Sequence, residues 1–245
     1  MTQIEVCLDS NDLAKLEQNV NVSYNAGADR IELCYDLSSG GLTPSQQAIS
    51  IARQAFRQRA GLLVMIRPRA GDFVYSAEEL LVMKRQIEVA AQLGVNGVVF
   101  GTLTRQNALD EVVLQALMPL CHSLNLHVTF HRAFDQLSNK ATALAELVSY
   151  GVNRVLSNGT PWGADLGAVD GISTLKNIIR WADNAIELVV GGGVNPDNIQ
   201  QLHHHLIGRS AGKAARVSFH ANSGVMQNDV VDGTKLHEMR NHVLS

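Results

Sequence analysis

Apolar residues fall into eight short runs, and between the runs they recur every three or four positions. The runs are typical of buried strands, and the longer stretches are typical of amphipathic helices. Such alternation, with a repeat of roughly 30 residues, requires parallel strands. Eight units match a closed α/β barrel, the single-domain (β/α)8 TIM barrel, and an open doubly wound sheet is the alternative. The predicted strands span residues 4–8, 30–34, 62–66, 97–100, 127–130, 154–156, 187–190 and 216–219.

One short pattern recurs at the start of three predicted strands: a glycine, an apolar residue, Asp or Asn, any residue, and an apolar residue. It occupies residues 27–31, 94–98 and 151–155. A glycine after a helical stretch is typical of a helix C-terminus, because glycine adopts left-handed conformations without strain. The pattern therefore predicts three equivalent helix-to-strand junctions.

The composition is that of an ordinary globular domain. The chain has 245 residues, of which 46% are hydrophobic and 18% charged, and no Pro- or Ser-rich linker divides it. We therefore expect one domain over residues 1–245. A net charge of −3 without blocks of like charge argues against nucleic-acid and membrane partners. With no leader or membrane-spanning segment in the sequence and three scattered cysteines, we expect a cytoplasmic protein with free thiols.

Polar side chains alternate along the first two predicted strands. Glu5 and Cys7 share one face of the first strand, and Glu32 and Cys34 share one face of the second, because successive side chains of a strand point to opposite faces. If the apolar neighbours face the helices, two carboxylates and two thiols point into the barrel. We expect Arg67, at the end of the third strand, to be the counter-ion of Glu32.

Acidic, basic and histidine side chains therefore gather where strands end, which is the active-site face of this fold. In an enzyme, Glu32 or Glu5 would be the general base, His131 the general acid, and the arginines would stabilise an oxyanion. The alternative is an ion-pair plug that only closes the barrel. The candidate catalytic residues are Glu5, Glu32, Arg67, Arg69, His131 and Asp135.

The two Glu-x-Cys segments also suggest a metal site. Thiolates are soft ligands suited to Cu(I) or Zn, and Cys7 and Cys34 lie on neighbouring strands. The alternative is that both are buried cysteines that behave as small apolar residues. We expect Cys121 to fill the core. The triplet at residues 203–205 cannot converge on one ion, because consecutive helical residues point about 100° apart, so we interpret it as a solvated helix face.

The loops after the last two strands form the usual phosphate cradle of these barrels. A run of three glycines follows the seventh strand, and the segment at residues 195–196 then begins a helix. The alternative is a tight turn without a ligand. No nucleotide-binding loop is present, so no organic cofactor is predicted. The candidate anion-binding residues are Gly191, Gly192, Gly193, Ser157, His220 and Ser223.

Four segments, at residues 27–34, 40–45, 66–73 and 128–135, together resemble the CutC family, named for copper homeostasis. The likeness extends from the first strand to Gly233. It implies a cytosolic TIM barrel that self-associates, most simply as a dimer, and copper bound at Cys7 and Cys34. One departure touches the mouth, where Ser157 begins a Ser-Asn-Gly segment in place of Thr-Ser-Gly.

The sequence leaves three functions open. The first, which follows the resemblance, is copper homeostasis through Cu(I) held by Cys7 and Cys34, with His131 as a third ligand. The second is an enzyme acting on a small anionic or phosphorylated metabolite. The third is a non-catalytic barrel whose mouth is an inert plug and whose helices form an assembly surface. Whether the protein is an enzyme is not decided by the sequence.

Overall fold

Eight parallel strands pair side by side in chain order and close into a barrel when β8 pairs with β1. The computed structural model describes residues 2–207 and 215–244. The predicted barrel is thus confirmed, and each predicted strand agrees with an observed one to within two residues. The strands are β1 (Gln3–Asp9), β2 (Arg30–Cys34), β3 (Leu62–Met65), β4 (Gly97–Phe100), β5 (His127–Phe130), β6 (Arg154–Ser157), β7 (Glu187–Val190) and β8 (Val217–Ala221).

Helices connect the strands and cover the outside of the barrel. Short side chains cap many of them; Ser76, for example, forms a capping box with Glu79 at the start of α3. A two-stranded hairpin, β9 (Met226–Gln227) and β10 (Val230–Val231), precedes the last helix. The helices are α1 (Leu13–Asn25), α2 (Gln46–Phe56), α3 (Ala77–Gln92), α4 (Glu111–Ser123), α5 (Ala133–Gln136), α6 (Lys140–Ser149), α7 (Ile172–Ala182), α8 (Pro196–Ile207) and α9 (Gly233–Leu244).

The recurring glycine pattern fastens each unit to the one before it. At its third position Asp29 accepts the amide N–H of Ile4 at 2.9 Å, and Asn153 accepts that of Val128 at 2.7 Å. Asn96 accepts those of Gly61 and Leu62. These amides lie at or just before the start of a strand, where the sheet offers them no partner. We call these side-chain bonds the Asx clasps.

The two faces of β1 and β2 carry different residues, as predicted. Val6, Leu8, Ile31 and Leu33 are completely buried in the core between strands and helices. The alternate side chains point into the barrel, where Cys7 and Cys34 belong to a separate apolar cluster with Leu63, Met65 and Val99. The alternation of side chains along each strand therefore places both cysteines in the barrel interior.

Candidate functional site

Two thiols lie next to each other inside the barrel, near the ends of β1 and β2. The Sγ atoms of Cys7 and Cys34 are 4.0 Å apart, and both residues are buried. The Glu32 Oε1 atom lies 3.3 Å from the Cys34 sulfur and 3.9 Å from the Cys7 sulfur. We call the two cysteines the thiol pair. All three cysteines of the chain are free thiols.

Beneath the thiol pair, Arg30 fills the lower part of the barrel with an ion-pair network. Its Nε donates to Glu5 Oε2 at 2.8 Å, and its Nη2 donates to Glu187 Oε1 at 2.8 Å. The remaining donors reach Gln3 and Ser218. We call this set of five residues the Arg30 network. Since the guanidinium has partners on every nitrogen, its desolvation is compensated.

His220 connects the Arg30 network to the thiol pair. Its Nδ1 lies 2.8 Å from Glu5 Oε1. Burial alone would lower the pKa of His220, but hydrogen bonds to Cys7 and Glu5 raise it well above its usual value. Burial would likewise raise the pKa of Glu5, yet the charge of Arg30 and the hydrogen bond from His220 lower it to about 2. At neutral pH His220 is therefore a cation beside an ionised Glu5.

The two thiols differ in their readiness to ionise. The hydrogen bond from Cys34, together with His220, lowers the pKa of Cys7 to about 6 against the opposing effect of burial. That same bond and burial raise the pKa of Cys34 well above its usual value. Because the thiolate is the nucleophile and the metal ligand, Cys7 is the reactive member of the pair.

The pKa of Glu32 is shifted in the opposite direction to that of Glu5. Burial and the neighbouring charge of Cys7 raise its pKa to about 8, so its carboxyl group is protonated at neutral pH. Its Oε2 atom has no hydrogen-bond partner in the described residues. Two inward carboxyls in one barrel are thus held in different protonation states, an arrangement that separates an acid from a base in many active sites.

A cavity of about 250 Å³ opens above the thiol pair at the mouth of the barrel. We call it the mouth cavity. Its lower part holds the two thiols and Glu32, and its walls are mainly apolar and aromatic. The lining residues are Cys7, Glu32, Cys34, Leu37, Gly40, Met65, Phe73, His131, Arg132, Leu156, Trp162, His220 and Asn222.

His131 reaches the mouth cavity with one ring nitrogen unpaired. Its Nδ1 accepts the amide N–H of Ala133 at 3.1 Å, whereas its buried Nε2 has no partner in the described residues. Burial and the charge of Arg67 lower the pKa of His131 to about 3, so the ring is neutral and carries its proton on Nε2. Gly101 leaves room for the ring, because a Cβ at that position would overlap it.

The predicted ion pair between Arg67 and Glu32 does not form. The Arg67 side chain instead donates to backbone carbonyls of Ser39, Gly41 and Gly71. These carbonyls belong to the loops after β2 and β3, which the sequence pattern could not place. Arg67 therefore positions the mouth loops. Glu32, which lacks the expected counter-ion, is buried in its neutral, protonated form.

Arg69 and Asp135 also lie away from the thiol pair. Arg69 pairs with Asp72 and Glu79 at the surface. Asp135 is buried, accepts from Arg132 Nε at 3.0 Å, and is hydrogen-bonded to Ser157. Burial raises the pKa of Asp135. Asp135 thus orients Arg132, which does line the mouth cavity.

The backbone amides that follow the glycine loop after β7 are hydrogen-bonded within the segment itself. Asn195 caps α8, as expected, with its side-chain oxygen accepting the amides of Asp197 and Asn198. Gly191 packs beside His220, but in the described residues none of the glycines at 191–193 lines the mouth cavity. Ser223 begins a short 3-10 helix at the rim. Of the candidate anion-binding residues, His220 alone lines the cavity.

The expected third metal ligand, His131, is not grouped with the thiols. Within the described ranges, the donor atoms that gather within 4.8 Å of one another belong to Cys7, Glu32 and Cys34, and to Glu5, Glu32 and His220. Cys121 is buried on α4, as expected. His204 and His205 are exposed on α8. The group next to the two thiols is therefore the Glu32 carboxyl, and the His131 ring lies apart from them.

Arg30 is the main functional-site residue that sequence reasoning missed. The period of two that points Glu32 and Cys34 inward applies equally to Arg30, two residues earlier on β2. Arg154 stands at the same place in its own repeat and is also buried. The aromatic wall, Phe73 and Trp162, comes from loops, where periodicity carries no signal.

Known proteins resemble this chain along most of its length. The sequence profile of the CutC family matches residues 2–212. The chain is 41% identical over 199 residues to the human copper homeostasis protein cutC homolog, a match covering 81% of this chain and 68% of the human protein. It is 36% identical over 242 residues to a family protein CutC of Vibrio atlanticus strain LGP32, covering 94% of this chain and 91% of that protein.

A solved structure agrees with the barrel described above. The crystal structure of CutC from Streptococcus agalactiae matches with a TM-score of 0.76 and 31% sequence identity, covering 91% of this chain and 99% of that chain. The similarity is thus one of sequence and fold together.

Proposed function

Because the chain belongs to the CutC family, we propose that it acts in copper homeostasis by binding Cu(I) through the thiol pair. The observation that carries the proposal is the 4.0 Å separation of the Cys7 and Cys34 sulfurs inside the barrel. Metal–thiolate bonds are about 2.3 Å long, so both sulfurs can reach one ion without a change of fold. The donor set, two cysteine sulfurs with the thioether side chain of Met65 in the same cluster, suits Cu(I), because soft sulfur ligands select this ion.

The surroundings favour a monovalent thiophilic ion over zinc. Structural zinc takes four ligands, and the additional donor here is the Glu32 carboxyl, which is protonated at neutral pH. A protonated carboxyl supports sulfur by hydrogen bonding rather than by coordination. His220, a buried cation, favours the thiolate of Cys7, so the first ligand is available before the ion arrives.

Competition with a chromophoric Cu(I) chelator under anaerobic conditions tests this proposal. We expect Cys7→Ser and Cys34→Ser each to weaken Cu(I) binding more than about 100-fold, beyond the effect usual for supporting residues. Cys121→Ser is the matched control, since it removes a buried thiol remote from the mouth, and it should bind like the wild type. Equal Cu(I) uptake by wild type and the Cys7→Ser Cys34→Ser double variant would refute the proposal.

The opposite protonation states of Glu5 and Glu32 favour a second function, acid–base catalysis on a small anionic metabolite. In this proposal Glu32 is the general acid that releases its proton into the mouth cavity, and Cys7 or the ionised form of Glu32 is the base. His131 donates from Nε2 to an oxygen of the substrate. Glu5, Arg67 and Asp135 hold the donors in place through His220, the mouth loops and Arg132.

Glu32→Gln tests this second function, because glutamine keeps the shape of the side chain but cannot transfer a proton. General acid–base groups contribute about 100- to 10,000-fold to a rate, so turnover of a metabolite by wild type should fall by that factor. Glu88→Gln, at an exposed position on α3, is the control. A Glu32→Gln protein that retains full turnover would contradict the assignment, whatever the outcome of the copper titration.

We also propose that the protein works in the cytoplasm as a homo-oligomer, most simply a dimer. Three free cysteines suit a reducing compartment. Within the described residues no helix is both long and apolar enough to span a membrane. Tyr35 and Val82 are exposed along a groove between α2 and α3, with Leu81 next to them. Analytical ultracentrifugation of wild type and Val82→Glu tests whether this groove lies in the dimer interface.

A further inference from the structure

The upper part of the mouth cavity has features that copper binding does not use. Phe73 and Trp162 meet edge to face with ring centroids 5.3 Å apart, and Phe73 also packs on the His131 ring at 4.8 Å. Leu156 belongs to the same wall. A metal ion needs no aromatic wall. A lining that is mostly apolar with a few convergent polar groups is typical of sites for organic molecules.

Two side chains of this wall carry N–H groups that have no acceptor among the described residues. His131 is 4% exposed, and residues 2–207 and 215–244 provide no acceptor for its Nε2–H. Arg132 donates to Asp135 through Nε, and the described residues provide no acceptor for its two terminal nitrogens. Since a buried donor without an acceptor destabilises the fold, the unpaired Nε2–H of His131 indicates an absent acceptor.

We propose that the mouth cavity binds a small organic monocarboxylate with an apolar or aromatic body. One carboxylate oxygen would accept from His131 Nε2 and the other from the Arg132 guanidinium, and the body would lie against Phe73 and Trp162. The Arg132 guanidinium lies 5.3 Å from the centre of the Trp162 ring, so charge and apolar surface lie side by side in the cavity wall. The proposal does not depend on copper binding.

The size and charge of the cavity select this class of ligand. A volume of about 250 Å³ is just below the range of about 300–1,000 Å³ found for drug-sized ligands, so the ligand is a small metabolite. Asp135 pairs with Arg132 through Nε alone, and His131 is neutral, so the remaining donors suit one negative charge better than two. A phosphate dianion would need more donors, and α8 spends its first amides on Asn195.

The test is isothermal titration of metal-free protein, kept in a chelator, with 3-phenylpropanoate and hexanoate, and with their neutral amides. We expect the carboxylates to bind at least tenfold more tightly than the amides. His131→Phe, which keeps the ring packing but removes the donor, and Arg132→Gln should each weaken binding at least tenfold. Arg105→Gln is the matched control, because it removes an exposed arginine of the loop after β4 that does not line the cavity.

Trp162→Ala gives a second, independent reading, since Trp162 is 42% exposed on a loop and the fold does not rest on it. It should also weaken binding at least tenfold while thermal unfolding stays cooperative. Failure of both carboxylates to bind at millimolar concentration overturns the proposal, as does equal binding by wild type, His131→Phe and Trp162→Ala. Either result leaves the Cu(I) titration unaffected, so the two proposals fail separately.

Discussion

The interior of the barrel has two levels that use charge in different ways. In the Arg30 network each guanidinium nitrogen has a partner, and Arg30 and Glu5 are buried beneath the site, whereas Gln3 at the edge of the network is exposed. In the mouth cavity, Glu32 Oε2 and His131 Nε2 are buried and have no partner among the described residues, and two thiols lie beside Glu32. The fully hydrogen-bonded Arg30 thus belongs to the level that holds the barrel together, whereas the unpaired groups of the upper level lie next to a cavity that is open to a ligand.

Replacing Arg30 by Met gives the largest expected loss of stability. The variant removes one of the two cationic partners of the buried Glu5 and the ion pair of the partly buried Glu187, and breaking a buried pair in this way costs about 3–5 kcal/mol. Urea unfolding followed by circular dichroism measures the difference in the free energy of unfolding. A loss below about 1 kcal/mol would mean that the Arg30 network does not support the fold, and the contrast between the two levels would disappear.

The pH dependence of stability probes the upper level through His131. Its pKa is about 3 in the folded chain and ordinarily 6.5, so between these values the unfolded chain takes up a proton that the folded chain does not. Stability is therefore lost as the pH falls below 6.5, with this group contributing up to about 1.4 kcal/mol per pH unit. His131→Phe should show a shallower fall in urea unfolding series. Equal slopes for both proteins would contradict the neutral, buried His131.

Alkylation of the metal-free protein distinguishes the two thiols. Iodoacetamide should modify Cys7 first, with a half-maximal rate near pH 6, since that is its pKa. At neutral pH the advantage over an ordinary thiol is only several-fold, because nucleophilicity falls with pKa. Peptide mass spectrometry identifies the modified residue, and Cys7→Ser should lose the fast phase. A rate that rises only above pH 8 would remove the link between His220 and the thiol pair.

Arg69→Gln should give the smallest change in the free energy of unfolding, and it serves as the reference for the other variants. Its ion pairs with Asp72 and Glu79 are at the surface, where such pairs contribute about 0–1 kcal/mol. We expect urea unfolding to differ from wild type by less than about 1 kcal/mol. A loss as large as that of Arg30→Met would mean that burial does not separate the roles of these two arginines.

The barrel and its thiol pair were predictable from periodicity, because strand alternation and inward-facing side chains follow local rules. Cys7, Cys34, Glu5 and Glu32 all point inward as the period of two requires. Pairing across the barrel was not predictable. Arg67 lies near the right strand end, but its partners are backbone carbonyls of loops, and no pattern of side chains encodes where a loop carbonyl will lie.

The partners of Glu5 were likewise not predictable from the sequence. His220 comes from β8 and Arg30 from β2, and both meet Glu5 because β1 lies between those strands in the closed barrel. The sequence identified His220 as a residue of the mouth, but its contact with Glu5 depends on how far the strands are staggered. Ionisation depends on the distances between these groups, so the protonation states of Glu5, Glu32 and Cys7 could not be predicted from the sequence.

The Asx clasps have a consequence for how this barrel tolerates rearrangement of its chain. Each one joins the beginning of a strand to the residue that introduces the next, so the lower rim is fastened by side chains as well as by the sheet. A circular permutant opened next to Asn96 would loosen the amides of Gly61 and Leu62, whereas one opened in a loop of the upper rim would spare them. Insertions that vary the chemistry are therefore tolerated at one end of the cylinder, and the other end preserves its architecture.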